Sequence, residues 1–364
     1  MEPIKIVDNV YWVGAVDYDI RDFHGYLTPK GSTYNAYLVI DKDITLIDSV
    51  KHGFESEILS RVAKVVDPQK ITQVISNHAE MDHTGALPGV MRAIGASKPI
   101  YASAMGVKNL AGQFKGEGLN LQTAGKELSL GQYTLKFMET RMVHWPDSMF
   151  SFLPELGILF SQDGFGLHFA STERFDEEIP ESVWRPLALN YFANILTPYT
   201  AQIAKILQTA TSSGLVKDIK IICPDHGLVW RKDPTRILAH YAEWVQQKPS
   251  AKAVIAFDTM WHSTEYMARE LTDNLGSLGI EAHYVNLKHS HRSEVATAAY
   301  EAGAILVGSP TINNQMFPSV ADLLCYLKSL KMKNKIGAAF GSHGWSGEGA
   351  KLVQAELGAM GYAL

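Results

Sequence analysis

Residues 77–85 read NHAEMDHTG, and the fold of the front half of the chain turns on this stretch. It follows a short β-type run, 71–76 (ITQVIS), and precedes residues with helical apolar spacing, 86–94. His78, Glu80, Asp82 and His83 therefore lie between a predicted strand and a predicted helix, as four metal-competent side chains within six positions. Carboxylates near a helix start are common because they complement the helix dipole, but that explains neither the imidazoles nor their density. Three further candidates each stand just past a β-type run: His144 in MVHWPDS, Asp163 in FSQDGFG and His226 in CPDHG. Loops at one end of a sheet bring distant residues together, so the pattern predicts seven ligands for two metals.

Outward from this motif, residues 37–40 (YLVI), 44–48 (ITLID), 133–139 (YTLKFME), 158–161 (ILFS) and 219–223 (IKIIC) are short and rich in β-branched or aromatic residues, as strands are. Residues 199–209 carry helical spacing. After a polar stretch at 246–252 (QQKPSAK) the pattern changes. The runs AVIAFD, EAHYVNL, AILVGS and KIGAAFGS alternate with predicted helices at 265–278, 293–301 and 320–330. Such alternation builds a doubly wound parallel sheet. Two domains are expected, 1–249 and 250–364.

Composition narrows the function classes. The 364 residues hold 33 Lys+Arg against 38 Asp+Glu, a net charge of −5, too little of either sign for a nucleic-acid or membrane-surface protein. No apolar run of about 18 residues occurs and the start, MEPIKIVDNVYWVG, does not read as a leader, so no membrane span is expected and the protein is placed in the cytoplasm. Cys223 and Cys325 are too few for a disulfide framework or a thiolate cage.

In the rear domain, loop 258–265 (DTMWHSTE) follows AVIAFD and opens a helix. The hydroxyls of Thr259, Ser263 and Thr264, with free amides at the helix start, suit a phosphate; the same residues also suit an ordinary helix cap. Loops 309–315 (SPTINNQ) and 341–349 (GSHGWSGEG) follow later strands, at the carboxyl ends where such sheets bind ligands. No GxGxxG or GxxxxGK[ST] pattern supports a dinucleotide or triphosphate.

The HxExDH run with later His, Asp and His resembles the ligand order of the flavodiiron proteins. RDFHGY, SVKHGF, HWPDSM, YFANILTPY, MWHSTE, GSPTINN and GSHGWSGE resemble segments of that family in the expected order, so the likeness covers essentially the whole chain. It implies an α/β protein: a metallo-β-lactamase-like αββα sandwich followed by a flavodoxin-like doubly wound parallel sheet. That sheet is expected to lack its last strand here, because the sequence stops at GAMGYAL, where a fifth strand would begin. Zinc hydrolases of the sandwich fold usually carry HxHxDH; Glu80 replaces the second imidazole and makes the site harder and more oxygen-rich, which suits iron. A binuclear zinc hydrolase is thus the alternative that Glu80 and the rear domain argue against.

By the same resemblance, one iron ion takes His78, Glu80 and His144, the other takes Asp82, His83 and His226, and Asp163 bridges them. FMN is implied, held by Thr259, Met260, His262, Ser263 and Thr264 in the first loop, by Pro310, Thr311, Ile312, Asn313 and Asn314 in the second, and by Ser342, Gly344, Trp345, Ser346 and Gly347 in the third. Trp345 is the expected cover for the flavin ring. His24, Trp145 and Tyr191 are expected to line a gas pocket for dioxygen or nitric oxide. The implied activity is reduction of dioxygen to water or nitric oxide to nitrous oxide, in a head-to-tail homodimer. A rubredoxin domain needs four cysteines, so electrons are expected from a separate donor: rubredoxin, a flavin reductase or a reduced deazaflavin.

Overall fold

The computed structural model describes residues 1–364. Apolar residues in successive strands of the front half are buried on both faces, and the period of two sorts them into two cores. Val39, Ile47 and Ile75 point one way, while Leu38, Leu46 and Val74 point the other. These strands belong to a seven-stranded sheet in the spatial order Ile4–Val7, Val10–Trp12, Tyr37–Val39, Ile44–Ile47, Ile71–Ser76, Pro99–Ala102 and Asn120–Thr123. A five-stranded sheet follows, in the order Glu127–Ser129, Thr134–Glu139, Met149–Leu153, Ile158–Gln162 and Ile221–Pro224.

One core lies between the sheets, where Trp12, Tyr37 and Ile75 meet Leu135, Met149, Phe160 and Ile221. The other packs the larger sheet against Ile58 and Val62 of helix Glu55–Val65, Leu87, Val90 and Met91 of helix Leu87–Ile94, and Leu110 of helix Ala104–Gln113. Trp184 of helix Glu181–Tyr191 meets Trp230 edge-on, with ring centroids 4.8 Å apart, and Tyr241 of helix Pro234–Trp244 packs on Phe165. This is the helix, sheet, sheet, helix sandwich that the resemblance implied.

A second compact unit contains Glu243–Leu364 together with two earlier segments, Asp22–Leu27 and Leu189–Thr200. Its parallel sheet runs Glu281–Asn286, Ser250–Phe257, Ala302–Gly308 and Ile336–Phe340 in space, the order 2-1-3-4. Helices Ser263–Ser277, Arg292–Glu301 and Pro318–Leu330 connect the strands, and helix Glu348–Ala359 follows the last. Beyond it, Ala363 bridges Ile336 in parallel. Close packing at the strand end explains Gly308, where an added Cβ would lie 2.4 Å from the Phe340 ring. No helix is long and apolar enough to cross a membrane.

Several elements depart from the sequence expectation. Strand Met149–Leu153 (MFSFL) is buried along its whole length, so it lacks the alternation by which strands are recognised. Asp48 leaves its strand because its φ is 55°, which turns its carboxylate to the amide of Asn77. Helix Glu348–Ala359 begins inside a glycine-rich loop that hides its start. Helix Thr200–Ser212 is preceded by a π-helical turn, Phe192–Leu196, and a 3-10 turn, Thr197–Tyr199.

Lys335 is 4% exposed and donates to the backbone oxygens of Tyr300 and Ala302, at the end of helix Arg292–Glu301. Burial, partly opposed by nearby Glu301, lowers its pKa to about 8. An unfolded lysine titrates near 10.4, so between these values the unfolded chain binds more protons and stability rises with pH. Denaturant unfolding of the wild type relative to Lys335→Met, followed from pH 7.5 upward, is expected to show this rise above about pH 8. Its size is at most about 3 kcal/mol; a flat difference would show that the two carbonyls fully offset the burial.

Candidate metal centre and flavin loops

Strand ends place every residue of the front-half motif. Asn77 follows strand Ile71–Ser76; its side chain donates to Asp48 Oδ2 at 2.7 Å, and its backbone oxygen accepts from the Met149 amide at 2.9 Å. The parallel pairing of Gln162 with Pro224 sets the residues that follow, Asp163 and Asp225–His226, side by side. His144 enters from the loop between strands Thr134–Glu139 and Met149–Leu153. The ends of both sheets thus contribute to one site.

The seven side chains fall into two groups, His78, Glu80, His144 and Asp163, and Asp82, His83 and His226, with ligand atoms in each group within 4.8 Å of one another. Glu80 Oε2 lies 3.0 Å from His78 Nε2 and 3.1 Å from His144 Nε2. Asp82 Oδ2 lies 3.4 Å from His83 Nε2 and 3.1 Å from His226 Nε2. Asp163 faces both groups. Its Oδ2 is 2.9 Å from His144 Nε2 and 3.5 Å from His78 Nε2, while its Oδ1 is 3.1 Å from His83 Nε2 and 3.4 Å from His226 Nε2.

Short distances here are not hydrogen bonds throughout. Both oxygens of Asp82, Asp163 Oδ1 and His83 Nε2 are buried without a hydrogen-bond partner, a shortfall that cations shared among them would make good. Burial disfavours charge on His78 and His83, but the surrounding carboxylates outweigh it and hold both imidazoles well above their ordinary pKa. Burial likewise opposes ionisation of Asp163, and His83, His144 and His226 overcome it, holding its carboxyl well below the usual range. The cluster is built to be neutralised by cations at its centre. Mixed imidazole and carboxylate donors in two adjoining sets fit a pair of irons.

Behind these seven side chains stand two carboxylates whose role the sequence alone does not reveal. Asp147 of HWPDS approaches His78 Nδ1 at 3.2 Å and accepts from the Ala79 amide at 2.7 Å. Asp225 of CPDHG lies 3.5 Å from His83 Nδ1; its own burial and the nearness of Asp48 push its carboxyl well above the usual range. His226 Nδ1 donates to the Thr33 oxygen at 2.6 Å. A carboxylate one to three residues from a ligand histidine was the available signal, but sequence cannot say which imidazole it meets.

Of the residues expected at a gas pocket, Trp145 sets its ring perpendicular to His78, with centroids 5.2 Å apart. His24 occupies the turn between strands Asp22–Phe23 and Tyr26–Leu27, with φ 52°, and Tyr191 ends helix Glu181–Tyr191, 1% exposed. Both belong to the second compact unit.

In that unit the three expected loops meet beyond the carboxyl ends of the strands. Thr264 and Ser342 hydroxyls are 2.8 Å apart, the Thr311 amide donates to the Ser342 oxygen at 2.9 Å, and the Gly349 amide donates to Thr311 Oγ1 at 3.1 Å. Thr259 Oγ1 is buried without a partner at the mouth of the first loop. His262, with φ 64°, precedes helix Ser263–Ser277 and sets its Nδ1 2.8 Å from Glu265. Thr311, Asn313, Asn314, Gly344, Trp345 and Ser346 line a small depression. Trp345 is 90% exposed, and Met260 and Trp261 of the first loop are exposed as well. An orphaned hydroxyl, helix-start amides and an aromatic face fit a flat, phosphorylated cofactor such as FMN.

Comparison with known proteins agrees with this chemistry. Residues 33–227 match the ODP family beta lactamase and residues 255–363 match flavodoxin. The rubredoxin-oxygen oxidoreductase of Megalodesulfovibrio gigas is 43% identical over all of this chain and 90% of its own length. A nitric oxide reductase of Moorella thermoacetica is 41% identical over 98% of this chain and 90% of its own length. The flavodiiron protein of Giardia intestinalis superposes with a TM-score of 0.95 at 37% identity, covering 100% of this chain and 89% of that one.

The chain belongs to the flavodiiron family. A flavodiiron protein is an oxidoreductase whose cofactors are a two-iron centre and FMN, and both candidate sites on this chain have the donor chemistry for them. Asp163→Asn is expected to abolish stoichiometric iron loading, because one amide cannot serve two cations. Asp147→Asn should keep the ligands but weaken iron binding by about 10- to 100-fold, the usual cost of losing a partner behind a ligand histidine. Iron content after titration against a chelator checks both, and equal retention in all three proteins would contradict the assignment.

Proposed function

We infer that this flavodiiron protein reduces dioxygen to water, nitric oxide to nitrous oxide, or both, with electrons passed through FMN to a non-haem diiron centre. The observation that carries the reading is Asp163, whose two oxygens face two different imidazole sets. His78, Glu80 and His144 would hold one iron, and Asp82, His83 and His226 the other, with Asp163 between them. When bound, the iron pair supplies open coordination positions and two electrons, and the flavin supplies two more, singly or together.

The chain's own groups prepare and enclose the site. A metal-ligating imidazole must be unprotonated at its ligating nitrogen, and a partner at the other nitrogen fixes that tautomer. Asp147 does so for His78, and the Thr33 oxygen for His226. Six ligand side chains are at most 8% exposed, while that of His144 is 11% exposed, so this site is largely shielded from water. Trp145 supplies an apolar wall beside His78. Reduction of either gas consumes protons as well as electrons, and the His24 imidazole and Tyr191 hydroxyl are the groups to which we assign the substrate pocket and proton donation. The three loops of the second unit would hold FMN, and Trp345 would cover its ring.

The protein is placed in the cytoplasm, as a head-to-tail homodimer in which one subunit's FMN serves the other's irons. A separate rubredoxin, flavin reductase or reduced deazaflavin supplies its electrons. Anaerobic titration of the reduced protein with dioxygen and with nitric oxide, following the flavin spectrum, is expected to show stoichiometric flavin reoxidation by at least one gas. Failure of both would refute the reading. Two zinc ions and no yellow colour on purification would favour the hydrolase alternative. Light scattering of the active enzyme is expected to give at least a dimer, and monomers with both cofactors and full turnover would contradict the head-to-tail arrangement.

A further inference from the structure

His24 is held in a backbone conformation that costs free energy. Strands Asp22–Phe23 and Tyr26–Leu27 form a hairpin with two pairs, Asp22 with Leu27 and Phe23 with Tyr26. The connecting residues both have positive φ, 52° at His24 and 83° at Gly25, which is the two-residue turn geometry matching the strand twist. Glycine takes this conformation freely, whereas histidine does so at a cost. A hairpin of two pairs is far too short to hold such a turn unaided.

Helix Arg292–Glu301 supplies the support. Arg292 Nη2 donates to the Gly25 oxygen at 3.0 Å, and Ser293 Oγ accepts from the Leu27 amide at 3.1 Å. The Arg292 guanidinium is itself fixed. Its Nη1 donates to both oxygens of Asp322, at 3.1 and 3.0 Å, and its Cζ lies 5.4 Å from the centroid of the Tyr326 ring. The Tyr326 hydroxyl donates to Asn194 Oδ1 at 2.8 Å, in the Leu189–Thr200 segment of the same unit. The fit leaves little slack, because a Cβ on Gly25 would lie 3.1 Å from Arg292 Nη2.

Energy and geometry give different weights to this contact. The side chains of Arg292 and Asp322 are 26% and 55% exposed, so their ion pair adds little to stability. Its effect is orientational. Asp322 engages one arm of a rigid fork and so aims the other arm at the turn, which a lysine ammonium cannot reproduce. The same helix, Pro318–Leu330, carries Ser319, whose hydroxyl donates to Asp258 at the root of the first flavin loop. The support of the hairpin and that of the loop therefore share one element.

We propose that Arg292, aimed by Asp322, is a positioning residue for the reduction reaction: it locks the turn that presents His24. This rests on the assignment of His24 to the substrate pocket, and the test separates the two. Hydrogen exchange on the holoenzyme is the first readout. In Arg292→Ala, and more mildly in Arg292→Lys and Asp322→Asn, amides of residues 22–27 are expected to exchange about tenfold faster, while the parallel strands keep their protection. Unchanged exchange in the hairpin would overturn the proposal.

Turnover in a double-mutant cycle is the second readout. Arg292→Ala is expected to lower kcat by about tenfold with iron and FMN content unchanged, as displacement of a positioned group does, and to have no further effect in a His24→Ala background. Equal losses in both backgrounds would also overturn it, since Arg292 would then act by another route. Wild-type turnover in His24→Ala alone would refute the role given to His24, leaving the exchange result to judge the clamp. Arg292→Lys, which retains charge and aliphatic stem, stands in if the alanine variant fails to fold.

Discussion

The front domain depends on one buried carboxylate serving two groups of imidazoles. Asp163 is 2% exposed, and three carboxylates with four histidines surround a volume that excludes most water. Burying that charge unpaired would be costly, and pairing within the cluster satisfies it only in part, since both Asp82 oxygens and Asp163 Oδ1 lack hydrogen bonds. The backbone around Asp163 is accordingly held from several sides. Gln162, at a φ of 43°, accepts the Asp163 amide with its side-chain oxygen at 2.6 Å, donates to the Val143 oxygen beside His144, and accepts the Asp225 amide with its backbone oxygen at 2.8 Å. A single glutamine thus ties together the three loops that deliver His144, Asp163 and His226. Strain in a non-glycine residue at such a junction is the usual mark of a site that over-determines its geometry.

The second unit solves a different problem, with neutral groups instead of charge. Its three loops are cross-linked by hydroxyl and amide contacts among Thr264, Ser342, Thr311 and Gly349. Exposed Trp345, Trp261 and Met260 surround them. A preformed cradle of amides and hydroxyls suits a phosphate and a planar ring, because neither needs a countercharge from a side chain. That unit also includes two segments from far earlier in the chain, Asp22–Leu27 and Leu189–Thr200, bound to helix Arg292–Glu301 through Gly25, Leu27, Asn190 and Asn194.

How much was legible in the sequence differs from residue to residue. His78, Glu80, Asp82 and His83 were visible because they are adjacent in sequence, and His144, Asp163 and His226 because each follows a recognisable strand. Asp147 and Asp225 lie within those segments but carry no signal of their role, since a carboxylate in a turn reads as a cap until its imidazole partner is seen. Arg292 gave no signal, because its partners Gly25 and Asp322 lie 267 and 30 residues away. Strand Met149–Leu153 was hidden for the opposite reason: burial on both faces removes the alternation that marks a strand.

The amino-acid sequence by itself determined the classes of chemistry and architecture: donor types suited to iron, loops suited to a phosphate, and a switch from mixed strands to βαβ alternation after residue 250. These are local properties, carried by neighbouring residues and by the periods of strand and helix. Only the tertiary structure decided which oxygen of Asp163 faces which histidines, which carboxylates stand behind those histidines, and which helix bonds to the turn at His24. Those facts depend on strand register and on contacts between distant segments, and no local pattern encodes an angle between two side chains brought together only by folding.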